Sequence, residues 1–314
     1  MLTTRTRSLA AVFTLLIVPA VALLCGTRAA AQAPAPTDSV RALITQNSMN
    51  VFRRFSPEVR DKMLEYYGKV LALRSLNPVS LGGGNQMVLF GVGSGQVKLA
   101  SGLVGRREFR PGPVKEATGL RVITLFFPDE AALVARFKES GYAVPQFRNG
   151  PNGARHAMVA DPGNFVTELV VVSNAPPSTY DRMEVGITVS DLEKSRAFYR
   201  EFVGLDELPP VKDVSLDVTK YPYRHGETTI NLWTFGKGLP ADTGSAGIQY
   251  VVSDATTVDA RGKARNVTVE TPLGNTLGTL LTVWLNDPDG VTNYFAQIGG
   301  ARGGGRGAPA NSTK

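Results

Sequence analysis

The sequence predicts an α+β fold: β-α-β-β-β units repeated along the chain as two tandem domains. Three recurrences carry that expectation. The turn Asp287-Pro288-Asp289-Gly290, followed by Tyr294, has a near copy in Asp161-Pro162-Gly163-Asn164, followed by Glu168. The aromatic pair Tyr66-Tyr67 in LEYYGKVLAL returns as Phe198-Tyr199 in RAFYREFVGL. The strand-then-helix run GLRVITLFFPDEAALVARF returns as AGIQYVVSDATTVDAR. All three keep their order at a shift of about 130 residues, which marks an internal duplication.

The N-terminus is read first because it leaves the fold. Met1 to Arg7 is short and basic, Ser8 to Gly26 is apolar, and Ala29-Ala30-Ala31 offers a small-residue cleavage site. Residues 1–31 are therefore expected to be a secretory signal peptide cut after Ala31. A retained membrane anchor is the rival. The apolar run is marginal for a span, Pro19 interrupts it, and no second hydrophobic segment follows. The expected location is periplasmic or extracellular, with no membrane attachment after cleavage. Cys25, the only cysteine, follows Leu24 rather than the small residue a lipoprotein signal needs. It leaves with the signal, so the mature chain is expected to have neither disulfide nor thiol nucleophile.

The formal net charge of +7 loses Arg5, Arg7 and Arg28 with the signal, and part of the rest sits in the tail. No dense Lys/Arg stripe interleaved with aromatics is present, so nucleic acid is excluded as a partner. Residues 32–44 are expected to be a leader. The first domain spans 45–174 and the second 180–298, joined by the turn-rich linker Asn174-Ala175-Pro176-Pro177-Ser178-Thr179. From Gly299 the run GGARGGGRGAPANSTK is expected to be a disordered Gly/Arg tail.

Strand Asn50 to Phe55 and helix Glu58 to Leu71 open the first half. In the second half Glu184 to Val189 alternates, with Val185, Ile187 and Val189 on one face, which is the pattern of a half-buried strand. Asp191 starts a helix whose stripe is Leu192, Phe198 and Phe202 and whose end is Gly204. Strands are expected at Val214 to Val218, near Tyr221 to Arg224, and at Thr229 to Phe235. Ile248 to Val252 restarts the pattern, with a helix from about Ala255 and strands on both sides of the Asp-Pro-Asp-Gly turn.

The segments MEVGITVSDLEKSRAFYREFVGL and WLNDPDGVTNYFAQ, in this order and repeated, resemble the vicinal oxygen chelate superfamily. That group holds glyoxalase I, bleomycin-resistance proteins, fosfomycin-resistance enzymes and extradiol dioxygenases. The resemblance covers about residues 48 to 298. It implies four β-α-β-β-β units whose mixed sheets curl into open cups. It also implies one cup-facing residue from the first and one from the last strand of each unit. In the metalloenzymes these are His, Glu or Gln, since a divalent ion needs several N/O donors converging from separate strands.

Carried over by position, the resemblance assigns Glu184, Asn231, Gly247 and Tyr294 to the cup of the second domain. The first domain receives Lys98, Val122, Glu168 and, on its first strand, Asn50 or Val51. Each cup then holds one carboxylate. Lys98 brings positive charge where a metal would sit, so an ion pair between Lys98 and Glu168 is expected. Of the two histidines, His156 either faces a cup or is a hydrogen-bonded strand residue, and His225 reads as an exposed turn residue. This donor set implies no resident cofactor, with a weakly held divalent metal as the alternative.

Trp233, Trp284 and Tyr294, with Thr282, fall on cup-facing parity. In one cup they either form a slot for a planar organic ligand or fill the space as core. Glu184, Asn231 and Gln249 would fix the polar edge of such a ligand, and Lys98 and His156 would serve the first cup. Gly247 is expected to leave room for an imidazole. Gly247→His with Tyr294→Glu would then build a three-donor metal site beside Glu184. Glu184 and Glu168 are the candidate general bases; otherwise they only satisfy neighbouring donors. No Ser/His/Asp set or phosphate-binding loop is apparent. The chain is thus expected to be an exported, metal-poor binder of a small planar molecule, in the manner of bleomycin-resistance proteins. The alternatives are a lyase or dioxygenase with an altered ligand set and a scaffold with plugged cups. Nothing in the sequence fixes an oligomeric state.

Overall fold

A computed structural model of the chain describes residues 38–82, 85–102, 107–213, 215–276 and 280–298. The expected signal segment and the Gly/Arg tail lie outside the described residues. Four units follow one another. The first comprises β1 (Asn50–Phe55), α1 (Arg60–Glu65), β2 (Arg74–Gly82), β3 (Asn85–Val92) and β4 (Gly95–Ser101). The second comprises β5 (Gly119–Phe127), α2 (Glu130–Glu139), β6 (Arg148–Asn149), β7 (Arg155–Ala160) and β8 (Val166–Val171). In the third are β9 (Met183–Thr188), α3 (Leu192–Ala197), β10 (Asp206–Glu207), β11 (Val211–Asp213), β12 (Val218–His225) and β13 (Thr228–Trp233). The fourth holds β14 (Ala246–Val252), α4 (Ala255–Ala264), β15 (Val269–Thr276), β16 (Leu280–Asn286) and β17 (Thr292–Ile298).

Local chemistry explains why the repeats look alike. Asp129, Asp191 and Asp254 cap α2, α3 and α4, each accepting the N–H three residues on at 3.0, 3.1 and 2.9 Å. Each satisfies a donor that a helix leaves free in its first turn. Helices α1 and α3 run on into π-helical turns, Tyr66–Val70 and Phe198–Val203, and Gly204 ends the second of these at φ 86°. The two Asp-Pro turns are also built alike. Asp161 Oδ1 accepts from the N–H groups of Gly163 and Phe165, and Asp287 Oδ1 from those of Asp289 and Val291. The fourth residue of each turn, Asn164 or Gly290, takes positive φ, which suits those two residue types.

One expected strand is displaced. Asp213 Oδ1 accepts from the N–H groups of Ser215 and Leu216 at 3.0 Å. That Asx-type turn occupies 215–217, between β11, which ends at Asp213, and β12, which starts at Val218, so only the last residue of the expected strand is in one; Val214 lies outside the described residues.

The sheets are assembled across the chain. The eight-stranded sheet runs β15-β16-β17-β14-β1-β4-β3-β2, joining the first unit to the fourth. The nine-stranded sheet runs β10-β12-β13-β9-β5-β8-β7-β6, with β11 on β12, and joins the second unit to the third. Antiparallel pairs β1–β14 and β5–β9 form the two seams. One hydrophobic cluster, including Val51, Phe55, Val97, Ile123, Val185, Ile187, Ile248 and Phe295, packs the inner face of both sheets. Two buried ion pairs also cross between them. Arg53 on β1 meets Asp161 at 3.0 Å, both side chains wholly buried, and Arg121 on β5 meets Asp242 at 2.5 Å.

Candidate functional site

Because side chains alternate along a strand, the residues between these core positions share the opposite, cup-facing side. In the eight-stranded sheet they are Asn50, Phe52 and Arg54 on β1, Lys98 on β4, Gly247 and Gln249 on β14, Thr282 and Trp284 on β16, and Tyr294 on β17. One row across the sheet reads Asn50, Gln249, Tyr294, Trp284. The rings of Trp284 and Tyr294 lie 5.0 Å apart, and Asn50 Nδ2 donates to Gln249 Oε1 at 3.1 Å. Thr282 is wholly buried and shares a 2.9 Å hydrogen bond with Thr276. In the next row Phe52 stands between Gly247 and Lys98. Its ring covers Gly247 so closely that a Cβ there would come within 2.2 Å of Phe52 Cζ.

The charges of this cup are mostly positive. The Arg54 guanidinium lies 4.7 Å from the Phe52 ring and 5.7 Å from the Trp284 ring. It is only 6% exposed, its Nη1 has no partner among the described residues, and burial pulls its pKa down to about 10. Lys98 is half-buried without an ion pair or hydrogen bond among the described residues, and burial lowers its pKa to about 8. Arg107 pairs with Glu270, and both bond Thr292 Oγ1. Burial raises the Tyr294 phenol to about 12 against the opposing influence of Gln249.

The nine-stranded sheet presents Val122 and Thr124 on β5, His156 and Met158 on β7, Glu168 on β8, Glu184, Gly186 and Thr188 on β9, Lys220 on β12, and Asn231 and Trp233 on β13. Thr124 stands opposite both Glu168 and Glu184. Its hydroxyl donates to Glu168 Oε2 at 2.7 Å, while His156 Nδ1 lies 3.0 Å from Oε1. Burial works to raise the Glu168 pKa, yet the bonds from His156 and Thr124 outweigh it and hold the carboxyl below its ordinary value. Glu184 accepts from Asn231 Nδ2 at 2.8 Å and Arg182 Nη2 at 3.2 Å, with Lys220 Nζ at 4.0 Å. Trp233 Nε1 donates to Thr188 Oγ1 at 2.9 Å. The indole occupies the space over Gly186, 2.0 Å from where a Cβ would be, and packs with Val114, Val122 and Leu216. A cavity of about 500 Å³, lined by Val114, Met158, Val166 and Leu216 among others, remains at the rim.

These placements regroup the positions assigned from sequence. Asn50, Lys98, Gly247 and Tyr294 share one cup, and Val122, Glu168, Glu184 and Asn231 share the other, because the first unit pairs with the fourth and the second with the third. Asn50, not the core residue Val51, is the first-strand position. The ion pair between Lys98 and Glu168 does not form: the two lie in different sheets, and Glu168 is held by His156 and Thr124. Trp233 does not join Trp284 and Tyr294, being in the other sheet and packed as filler. Gly247 leaves no room for an imidazole, since Phe52 occupies it, and Glu184 is not across the cup from Tyr294. His225 is not a free turn residue: it closes β12, with Nε2 2.7 Å from Gln46 O. Arg54, Phe52, Thr124 and Lys220 are cup residues that the sequence patterns did not single out.

Neither donor set suits a divalent ion. The first offers an amide, an ammonium, no side chain and a phenol of raised pKa. In the second the two carboxylates are bound to Thr124, His156, Asn231 and Arg182, and the cation nearest Glu184 across the cup is already Lys220. Among the described residues no three His, Cys, Asp or Glu side chains gather in a group able to hold a metal.

Comparisons with known proteins agree with this geometry. Residues 182–295 match the family model Glyoxalase/Bleomycin resistance protein/Dioxygenase superfamily. Glyoxalase I from Zea mays superimposes with a TM-score of 0.60 at 18% identity, over 81% of this chain and 92% of that one. A putative dioxygenase from Bacillus subtilis gives 0.57 at 14% identity, over 81% and 86%. At such identities the likeness is one of fold. No curated protein sequence matches. Residues 182–295 thus match the glyoxalase, bleomycin-resistance and dioxygenase superfamily by sequence, and the four units together have the fold of glyoxalase I.

Proposed function

We propose that this protein is an exported binder of planar organic small molecules and that the ligand lies in the cup of the eight-stranded sheet. The observation that carries the proposal is Trp284. Its half-exposed ring stands beside Tyr294, and its Nε1 is buried without a partner among the described residues. A flat ring stacked there gains apolar burial, and a polar edge satisfies the indole N–H. The other cup is less suited, because Trp233, Val114 and Leu216 pack into it. The test is a fluorescence titration of the mature chain with planar aromatic compounds. A saturable change that Trp284→Phe removes and Trp233→Phe retains supports the proposal; a response that follows Trp233 overturns it. Export is tested by the N-terminus of the protein recovered outside the cytoplasm, expected at Gln32.

An enzyme of the lyase or dioxygenase type is the second reading. It is favoured by Glu168, Glu184 and His156 facing one cup. A carboxylate held below its ordinary pKa, as Glu168 is, stays ionised and is a weak base, which favours binding over catalysis. Metal analysis separates the two: near one equivalent of a first-row metal per purified chain overturns the metal-poor binder.

A further inference from the structure

We infer that the cup of the eight-stranded sheet recognises an organic acid, with the Arg54 guanidinium and the Trp284 indole N–H as donors to its acid group; this deepens the ligand-binding reading above and rests on it. The inference comes from the polar atoms left over. Arg54 Nη1 and Trp284 Nε1 are both buried and both without a partner among the described residues, and the guanidinium lies 5.7 Å from the indole ring. Both are donors with nothing to accept from them. An unpaired buried acceptor, Asn286 Oδ1, sits farther along β16, where the chain borders a different cavity near Lys194 and Phe198.

The charge balance points the same way. Around the centre of this cup the described charged groups are Arg54, Lys98, Arg107 and Glu270, with the exposed Arg74 at its edge beside Gly91. Arg107 and Glu270 neutralise each other, which leaves cations and, among the described residues, no carboxylate to meet them. A buried cation is costly unless paired, so an entering anion relieves a penalty already built into the fold. Arg54 is also prepared for the task. Its guanidinium carbon lies 4.7 Å from the centre of the Phe52 ring, a contact that restrains the side chain, and a guanidinium offers an N–H edge for two-pronged recognition of a carboxylate. Trp284 and Tyr294 then take the planar body. A carboxylate is the group that fits; sulfonates share its chemistry and form a second arm of the test.

The test uses matched pairs on the mature chain: benzoate, 2-naphthoate and indole-3-carboxylate, each against its neutral amide, with 2-naphthalenesulfonate as the second anion. Affinities are read by calorimetry and by tryptophan fluorescence. At least one acid is expected to bind about tenfold or more tighter than its amide. In Arg54→Met that preference should collapse toward unity while amide affinity holds. Equal binding of acid and amide by the wild type overturns the inference and leaves the ligand-binding reading standing. No response to any compound overturns both. If Arg54→Met does not fold, Lys98→Met is the second variant, expected to weaken the acids alone. Unliganded Arg54→Met should melt above the wild type. A lower Tm together with an unchanged acid preference assigns Arg54 a purely structural part and overturns the inference.

Discussion

Tyr199 and Asp287 share a 2.9 Å hydrogen bond, Oη to Oδ2, and Tyr67 and Asp161 repeat it at 3.0 Å in the first half of the chain. Both aspartates hold the same two N–H groups of their own turns. Their neighbours differ. Asp161 faces Arg53, whereas Asp287 has Asp289 beside it and makes no ion pair among the described residues. Burial, and after it Asp289, push Asp287 up to about 7.

That difference gives a pH prediction. A carboxyl whose folded pKa is raised stabilises the protein fully below its unfolded value and loses that contribution as pH rises through the folded one. Wild-type stability should therefore fall between about pH 4 and 7. Asp287→Asn, which keeps an acceptor for the turn, should lack that slope. Urea midpoints across the window decide it; parallel curves would mean that Asp287 titrates normally.

Arg53 is the opposite case. Arg53→Met leaves Asp161 buried without its counter-charge, and a loss of about 3–5 kcal/mol is expected. Arg53→Met with Asp161→Asn should recover part of it, because no charge is then stranded. A loss under about 1 kcal/mol for the single variant would show that water reaches the pair.

The two covered glycines predict overpacking. Gly186→Ala and Gly247→Ala drive a methyl into the rings of Trp233 and Phe52 and should each cost about 1–3 kcal/mol. At Gly274 a Cβ meets nothing nearer than a carbonyl at 3.8 Å, so Gly274→Ala should stay within about 0.5 kcal/mol. Thermal melts of the three variants rank them.

Thr124→Val should raise the Glu168 pKa, because one of the two hydrogen bonds that lower it disappears. The lost donor is expected to cost about 1–3 kcal/mol above the pKa of Glu168, where the carboxylate is charged. Carbon-13 NMR of the glutamate carboxyls reads the shift directly, and an unchanged titration would remove Thr124 from the account.

Lys98 predicts a slope at the alkaline end. Its folded pKa of about 8 lies below the ordinary 10.5, so the folded chain gives up this proton first. Stability should rise as pH climbs from about 8 to 10.5, and Lys98→Met should flatten that rise. Hydrogen exchange or urea melts at pH 7, 9 and 10.5 would show it.

Much of this was legible in the sequence for physical reasons. Equivalence with the better-patterned second half placed β1 at Asn50 to Phe55, and the aspartates at strand ends marked where helices begin. Strand alternation put Trp233 and Trp284 on cup-facing sides. It could not say that these sides belong to different sheets, because a repeat reveals which positions are equivalent and not which units pair. That choice is made by seams such as Asn50 against Gln249, far apart in the chain. Arg54 left a weaker signal that was missed. Adjacent arginines in an alternating strand must point to opposite faces, so if Arg53 enters the core, Arg54 enters the cup. The orphaned indole N–H of Trp284 left no trace in the sequence, since partnership depends on the whole surrounding shell.

The seam between the first and fourth units gives the chain the layout of a two-fold dimer whose subunits have been fused end to end. Each half, 45–174 and 180–298, contributes one unit to each sheet, so a half expressed alone would carry two open strand edges, at β1 and β5 or at β9 and β14. Two copies of one half can close each other's edges by exchanging units, as the halves do here. A split at the 174–179 linker is thus expected to yield fragments that reassociate by strand exchange, not two independent monomers.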